Sequence, residues 1–586
     1  MRQWMVAAKK ADFYAIAEKF HVDPVVARII RNREVIGEKN IRIYLGGNLS
    51  DLSDPHQMKD MDRLVEILAQ KIRKQVHIRI IGDYDVDGVT SSHLFLTALR
   101  RVGAKVDVVI PHRIQDGYGL SLHLLQQAKE DGVDTILTCD NGIAAIDEIA
   151  WAKAQKMTVL VTDHHAVPFE EHEGRRTEKK SLADAVVNPH QQDCGYPYKE
   201  LCGAGVAWNV IRVLYENYDM DKREAEDLLD FVAMATVCDV MSLTGENRIL
   251  VKEGLKRIRH TKNIGLQALM QACNVQPENI SAYHFGYVLG PCVNATGRLD
   301  TARHALRLFE TGQETEAEEI ARDLVDLNQE RKELTLQGVE MAKKLCEEGG
   351  YEMDPVLVLF LPDVHESIAG LIAGRIREMY NRPVFVLTRG EEGVKGSGRS
   401  TENYSMYENM CGCAELFTKF GGHPMAAGLS LPEENVEKFR RKINENCPLT
   451  VEEVCPDIHI DMAMPVGYAS TELVHQFALL EPFGKDNPSP LFADRNLSIS
   501  RMWLIGKNRN VLRMSVLSEY GQPVPVIFFG DVETLFAYFT EKFGQEEVEN
   551  ALHGRKNRIL FSMVYTAKID FYQGNENLQL EMKYYR

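Results

Sequence analysis

No two cysteines in this 586-residue chain stand as C-x-x-C, and only Cys411 and Cys413 fall close together. The usual zinc-site spacing is therefore missing. The eleven cysteines are scattered, and the expectation is reduced, mostly buried thiols in a cytoplasmic protein. No apolar run approaches the ~18–20 residues that span a bilayer; VLVLFL at 356–361 is strand-sized. The opening MRQWMVAAKKADF breaks its apolar stretch at Lys9, Lys10 and Asp12, so neither a secretory leader nor a membrane partner is expected. A basic excess is also lacking, since 85 acidic residues against 68 basic ones leave a net charge of −17. That balance argues against coating nucleic acid through bulk charge, but it leaves room for a local basic channel. Low-complexity tracts and long repeats are absent.

What is present is an ordinary globular composition, 45% apolar and 26% charged, at a length that suits roughly three to five domains. Short apolar runs at 76–81, 105–110, 134–139, 157–162 and 185–188 alternate with helical patterns near 90–101, 121–130 and 143–156. That order predicts an α/β lobe with a parallel sheet. Its ligand crevice is expected beyond the carboxyl ends of the strands. Residues 312–347 are charged, helix-favouring and free of proline, and predict one or two long helices joining two lobes. The α/β rhythm returns at 355–361, 367–380 and 383–388, followed by a glycine-rich run at 393–399, as a second, smaller α/β lobe. From about 451 the short alternating segments predict a small β-barrel of the OB type. The expected division is an N-terminal segment 1–50, a catalytic lobe 51–270, a linker with the long helix 271–348, the second lobe 349–447 and the barrel 448–586.

The strongest chemical signal is GDYDVDG at 82–88, which sets Asp83, Asp85 and Asp87 on a strand-to-helix turn. Alone, it reads equally well as a turn rich in Asp and Gly. Two further strands, however, end in TCDNG, with Asp140, and TDHH, with Asp163, His164 and His165. Three strand tips carrying ligand-type side chains on one sheet edge favour a metal centre. Asp239 stands in the apolar stretch 231–243, where a bound cation would explain it, as would an Arg partner or a helix cap. Oxygen and imidazole donors without thiolates suit Mn²⁺ or Mg²⁺ ahead of Zn²⁺. Two ions about 3.5–4 Å apart across a shared carboxylate are the arrangement that hydrolyses phosphate esters.

GDYDVDG, TCDNG, TDHH and VCDV, in this order, resemble the four motifs of the DHH phosphoesterase superfamily. NATGRLD at 294–300, KGSGRS at 395–400, GGHPMAAG at 421–428 and PFGKDNPSPLF at 482–492 resemble motifs of its single-strand-specific 5′→3′ exonuclease branch. The resemblance spans about residues 40–586. It implies that Asp83, Asp85, Asp140, His164 and Asp239 hold the metal, with Asp140 as the bridge. His165 would sit beside the scissile phosphate, and Asp163 would orient a ligand from behind it. Asp87 would shape the loop rather than bind. Arg113, Arg298, Ser397 and Arg399 would hold the 5′ phosphate and backbone, and His423 would line the strand's path. Many superfamily members carry a His where this chain has Arg79, so the first of two metal sites is expected to bind its ion weakly. GKDNP at 484–488 also departs from the usual Gly-x-Gly-Asn.

The implied activity is exonucleolytic degradation of single-stranded DNA from the 5′ end to 5′-mononucleotides, in DNA repair and recombination. The expected form is a monomer, with a single-strand-binding protein and a RecQ-type helicase as partners. Two basic clusters read either as solvated faces or as strand contacts. One is Lys252, Lys256, Arg257, Arg259 and Lys262; the other is Arg501, Lys507, Arg509 and Arg513 around Trp503. A phosphodiesterase for short oligonucleotides or cyclic dinucleotides is the alternative within the superfamily, and the barrel weighs against it. A degenerate, non-catalytic scaffold is the alternative outside enzymes, and the intact ligand motifs weigh against that.

Overall fold

The computed structural model describes residues 3–112, 119–172, 175–299, 302–351, 353–390, 393–506, 509–572 and 574–586. Its contacts divide into two compact units, Leu52–Ser242 with Glu246–Pro456, and Gln3–Asp51 with Leu243–Gly245 and Asp457–Arg586.

The first unit begins with five parallel strands: β1 (Ile78–Ile81), β2 (Val106–Val109), β3 (Thr135–Cys139), β4 (Thr158–Thr162) and β5 (Ala185–Val187). They lie in the order β2-β1-β3-β4-β5. Strands β1 and β3 are buried at every position, as a sheet covered on both faces requires. Because the chain runs outward in opposite directions from β1 and β3, a crevice opens at their carboxyl ends. Asn141 bridges this point, donating from Nδ2 to Ile81 O at 3.1 Å and to Cys139 O at 2.9 Å.

Helix α1 (Val86–Arg101) leaves the crevice after β1. Helices α2 (Gly203–Asn217) and α3 (Leu229–Cys238) pack on it, and α4 (Gly290–Leu299) follows later in the chain. A single 35-residue helix, α5 (Glu314–Glu348), then leads to the second lobe. There a five-stranded sheet pairs Leu357–Phe360 in parallel with Val384–Gly390, and the remaining strands antiparallel. The glycine-rich run Gly393–Arg399 is itself a strand of this sheet.

In the second unit, Phe492–Ile505, Val511–Leu517, Pro523–Phe528, Asn575–Tyr585 and Leu560–Tyr572 pair in that order, and the last strand pairs back to the first. This closes a five-stranded barrel with one parallel pairing, the OB architecture. The N-terminal segment belongs to the same unit. Trp4–Val6 pairs in parallel with Ile458–Ile460, and Arg33 grips Asp461 with Nη1 at 2.7 Å and Nη2 at 3.1 Å. Tyr44 Oη donates to Asn487 at 2.8 Å, and Asn487 donates in turn to Leu480 O and Pro482 O. In the GKDNP departure, then, the asparagine acts as a buried anchor. Among the described residues, no helix is long and apolar enough to cross a membrane.

Candidate metal centre

The crevice at the carboxyl ends of β1 and β3 gathers the ligand-type side chains from four segments. Asp83 and Asp85 follow β1; Asp85 caps α1 by accepting from Gly88 N at 3.0 Å. Asp140 follows β3 with φ of 62°, a left-handed conformation that aspartate tolerates better than most residues. His164 and His165 follow β4. Asp239 sits at the C-cap of α3, half-buried, so the cap alternative describes its backbone and the cluster its side chain.

Donor atoms of Asp83, Asp85 and Asp140 lie within 4.8 Å of one another, as do those of Asp140, His164 and His165, and those of Asp87, His164 and Asp239. His164 Nε2 stands 3.0 Å from Asp140 Oδ1, 3.6 Å from Asp239 Oδ2 and 3.7 Å from Asp87 Oδ2. Burial, with Asp87, Asp85, Asp239 and Asp83 crowded around it, holds the Asp140 carboxyl well above the usual range. Burial and Asp87 push Asp85 up as well. Burial pulls His164 down, against the attraction of Asp87, which leaves a neutral imidazole able to ligate. Burial and mutual repulsion both oppose ionisation of these carboxylates. A divalent cation is the counter-charge that fits such a donor set of oxygens and imidazole.

Asp163 lies behind the cluster, 1% exposed. It accepts from His164 N at 2.7 Å, His165 N at 3.0 Å, His165 Nδ1 at 2.7 Å and Ile143 N at 2.9 Å. Burial opposes charge on it, but the His165 hydrogen bond and both imidazoles hold it ionised below its ordinary value. Burial likewise opposes charge on His165, yet Asp163, Asp239 and Asp87 push it up to about 9, the state of a proton donor. Asp87 accepts from the first N–H groups of α2, Gly203 at 2.6 Å and Ala204 at 2.7 Å, while its Oδ2 borders His164. The expectation that Asp87 shapes the loop rather than binds is thus incomplete: it holds the start of α2, and its side chain also joins the donor cluster.

Arg79 is drawn away from the crevice: Nε and Nη2 bind Asp107 at 2.9 and 2.7 Å, and Nη1 binds Asp131 at 2.8 Å. The donor group of Asp83, Asp85 and Asp140 therefore contains no imidazole.

Gly203, Asn141 and Asn294 escaped the sequence reading. A Cβ on Gly203 would fall 2.6 Å from Asp140 Cβ, so only glycine lets α2 approach the cluster. Asn294 Oδ1 accepts from Val86 N at 3.1 Å and ties α4 to the Asp85 turn. The CGAG run opening a helical pattern was the available signal for Gly203; the asparagines lie inside TCDNG and NATGRLD, but nothing local marked them as the groups that tie the crevice together.

The expected phosphate-holding residues are partly assembled. Arg298, on α4, donates to Ser367 O on helix Glu366–Tyr380. Arg399 approaches the same helix at Gly370, and Ser397 lines a cavity of about 380 Å³ with Ser367, Lys395, Lys419 and Phe420. His423 is exposed in the turn after Lys419–Gly422, outside that lining. Arg113 lies outside the described residues. In the basic clusters, Lys256 pairs with Glu253 at 2.6 Å and Arg257 with Glu226 at 2.7 Å. Arg501 and Arg513 flank the half-buried Trp503 ring at 5.6 and 5.9 Å, and Lys507 is outside the described residues.

A parallel sheet whose switch-point crevice carries aspartates and histidines in this order defines a DHH-type phosphoesterase. The model of the DHH family, N-terminal domain, matches residues 77–236, the DHHA1 domain residues 353–447 and the RecJ OB domain residues 460–584. The single-stranded-DNA-specific exonuclease RecJ of Haemophilus influenzae is 32% identical over 582 residues, covering 96% of each chain. RecJ of Bacillus subtilis is 33% identical over 512 residues, 87% of this chain, which spans 63% of that relative's length. The chain belongs to the RecJ family. Crystallographic Thermus thermophilus RecJ in complex with Mn²⁺ matches the fold with a TM-score of 0.79 at 24% identity, covering all of this chain and 79% of that one. An exonuclease RecJ bound to manganese, 32% identical, covers 66% of this chain and 94% of its own, with a TM-score of 0.56.

Proposed function

We propose that the chain is a metal-dependent exonuclease that degrades single-stranded DNA from its 5′ end to 5′-mononucleotides, in DNA repair and recombination. The observation that carries this reading is the cluster of aspartates and His164 at the β1/β3 crevice, on a chain that also supplies an OB barrel for a single strand.

Asp83, Asp85, Asp140, His164 and Asp239, joined by Asp87, would hold Mn²⁺ or Mg²⁺. When bound, such ions supply an activated water and neutralise charge on the phosphate. The side chains then have distinct tasks. Asp163 fixes the His165 ring through Nδ1, so that His165 can donate a proton or hydrogen bond to a phosphate oxygen. Arg298, Ser397 and Arg399 would grip the 5′ phosphate beside helix Glu366–Tyr380, with Arg113 and His423 along the strand's path. A single-strand-binding protein and a RecQ-type helicase are the proposed partners, because a strand-specific exonuclease needs a strand opened and kept open. The eleven free thiols support a cytoplasmic setting. Residues 51–270 form the catalytic lobe, 271–348 the linker with the long helix, 349–447 the second lobe and 448–586 the barrel, whose unit takes in the N-terminal segment.

The test uses Mn²⁺ and a single strand labelled at one end or the other, beside the same sequence as a blunt duplex. The 5′ label should appear first as mononucleotide, and the duplex should resist. Release of the 3′ label first, or equal attack on the duplex, would overturn the assignment. Arg298→Ala should lose most on 5′-phosphorylated strands, read as the ratio of kcat/KM on phosphoryl and hydroxyl ends. An unchanged ratio would remove Arg298 from phosphate recognition.

A further inference from the structure

Residues 282–289 form a helical turn that widens into a π-turn, Ala282–His284 followed by Phe285–Leu289, and run straight into α4. Wide turns of this kind are rare and recur at functional sites. Phe285 and Leu289 are fully buried, but Tyr283 and Tyr287 are 62% and 70% exposed. Their rings stack on each other, with centroids 5.1 Å apart and planes at 23°. Two large aromatic rings left in water side by side are unusual on a surface with no partner.

The position of the pair is fixed by what lies beneath it. Cys238 Sγ donates to Phe285 O at 3.3 Å, a Cβ on Gly286 would meet Val237 at 3.4 Å, and one on Gly290 would strike Cys238 Sγ. The π-turn thus rests on the last turn of α3, whose cap residue is Asp239. The same continuous segment touches the other side of the cluster through Asn294, bound to Val86 N, and Gly297, where a Cβ would fall 2.4 Å from Tyr84 O. Val240, next to Asp239, is also 62% exposed, with φ of 55°.

We infer that Tyr283 and Tyr287 form a base-stacking platform for the single strand on the 3′ side of the scissile nucleotide. This inference rests on the nuclease reading above. Every base offers a π-face, so stacking on tyrosine grips a strand without choosing its sequence, as an enzyme that consumes any sequence needs. The pair is absent from the ligand set and from the phosphate-holding residues, and it contributes surface, not charge.

The test compares wild type, Tyr283→Ala/Tyr287→Ala and Tyr283→Phe/Tyr287→Phe with Mn²⁺ on a 20-nucleotide strand. The same strand carrying abasic sites behind its first nucleotide, and bis(p-nitrophenyl) phosphate, serve as controls. The alanine pair should raise KM on the ordinary strand roughly tenfold with kcat within about twofold, in line with one lost stacking contact. The phenylalanine pair should restore KM. Abasic strands should not distinguish the variants, and the small ester should be cleaved equally by all three. An unchanged KM on the ordinary strand overturns the platform, and so does an equal rise on abasic strands. Loss of ester cleavage by the alanine pair overturns it too, since that would make the tyrosines structural. Wild type inactive on every strand would instead defeat the nuclease reading itself.

Discussion

Asp140 is where the tension in this molecule concentrates: a carboxylate 2% exposed, in a left-handed backbone, facing four other aspartates. Without a cation, that arrangement costs the fold. Asp140→Asn should therefore raise the Tm of metal-free protein while abolishing hydrolysis, and Mn²⁺ should raise the Tm of wild type but not of the variant. Differential scanning calorimetry with and without Mn²⁺ reads both effects. Gly203→Ala should have the opposite character, lowering Tm and activity together as its methyl pushes into Asp140. Asp163→Asn keeps the shape but withdraws the charge that orients His165, and kcat should fall about 10–100-fold, as for other groups that orient ligands from behind.

Asp230 offers a test away from the metal. It is buried with Thr261 Oγ1 at 2.6 Å and Phe231 N at 2.8 Å, and burial pushes its carboxyl up to about 6 from 3.8. The folded state thus holds this proton more tightly than the unfolded one, so this contribution to stability is full below the unfolded pKa and falls as pH rises through about 4 to 6. Asp230→Asn should flatten that slope and gain up to ~3 kcal/mol at neutral pH, seen as urea midpoints measured from pH 4 to 7. Asp83, Asp85 and Asp140 stood out in the sequence because their motifs sit at strand ends, and Asp239 because it interrupts an apolar helical stretch. The contacts of Gly203 and Asn294 did not, because they depend on which helix packs where.

At the scale of elements, the alternation of short apolar runs was enough to reveal the parallel sheet, since β1, β3, β4 and β5 are buried almost throughout and read as continuous runs, while the edge strand β2 is half-buried. The long helix was legible from its length and lack of proline. The glycine-rich run 393–399 did not announce itself as a strand: Gly396 and Gly398 lack β propensity, and only the crowding of Leu387, Phe385 and Met406 over them explains their place in the sheet. The N-terminal segment was equally opaque, because its partners lie more than 400 residues away in sequence. The Arg33–Asp461 pair is nearly buried, with side chains 9% and 7% exposed. Arg33→Met would leave Asp461 charged and uncompensated, at a cost of about 3–5 kcal/mol. Chemical denaturation should show that loss, and the transition to look for is that of the barrel unit.

Across the whole molecule, a net charge of −17 stands against a proposed substrate that is itself a polyanion. Five aspartates converge on the one crevice that cations would neutralise. Basic side chains gather locally: Arg298 and Arg399 stand beside helix Glu366–Tyr380 and Lys395 and Lys419 on the neighbouring cavity, while in the barrel unit Arg501 and Arg513 flank Trp503. Such a balance suits a strand gripped by local charge and stacking rather than by bulk attraction. The most direct measurement is the rate at which mononucleotide leaves a 5′-labelled single strand in Mn²⁺, for wild type and Asp140→Asn side by side. Wild type should release it steadily, lose that release on chelation and regain it with added Mn²⁺, and the variant should release none. Release by Asp140→Asn at the wild-type rate, or by chelated wild type, would contradict the metal-centre assignment.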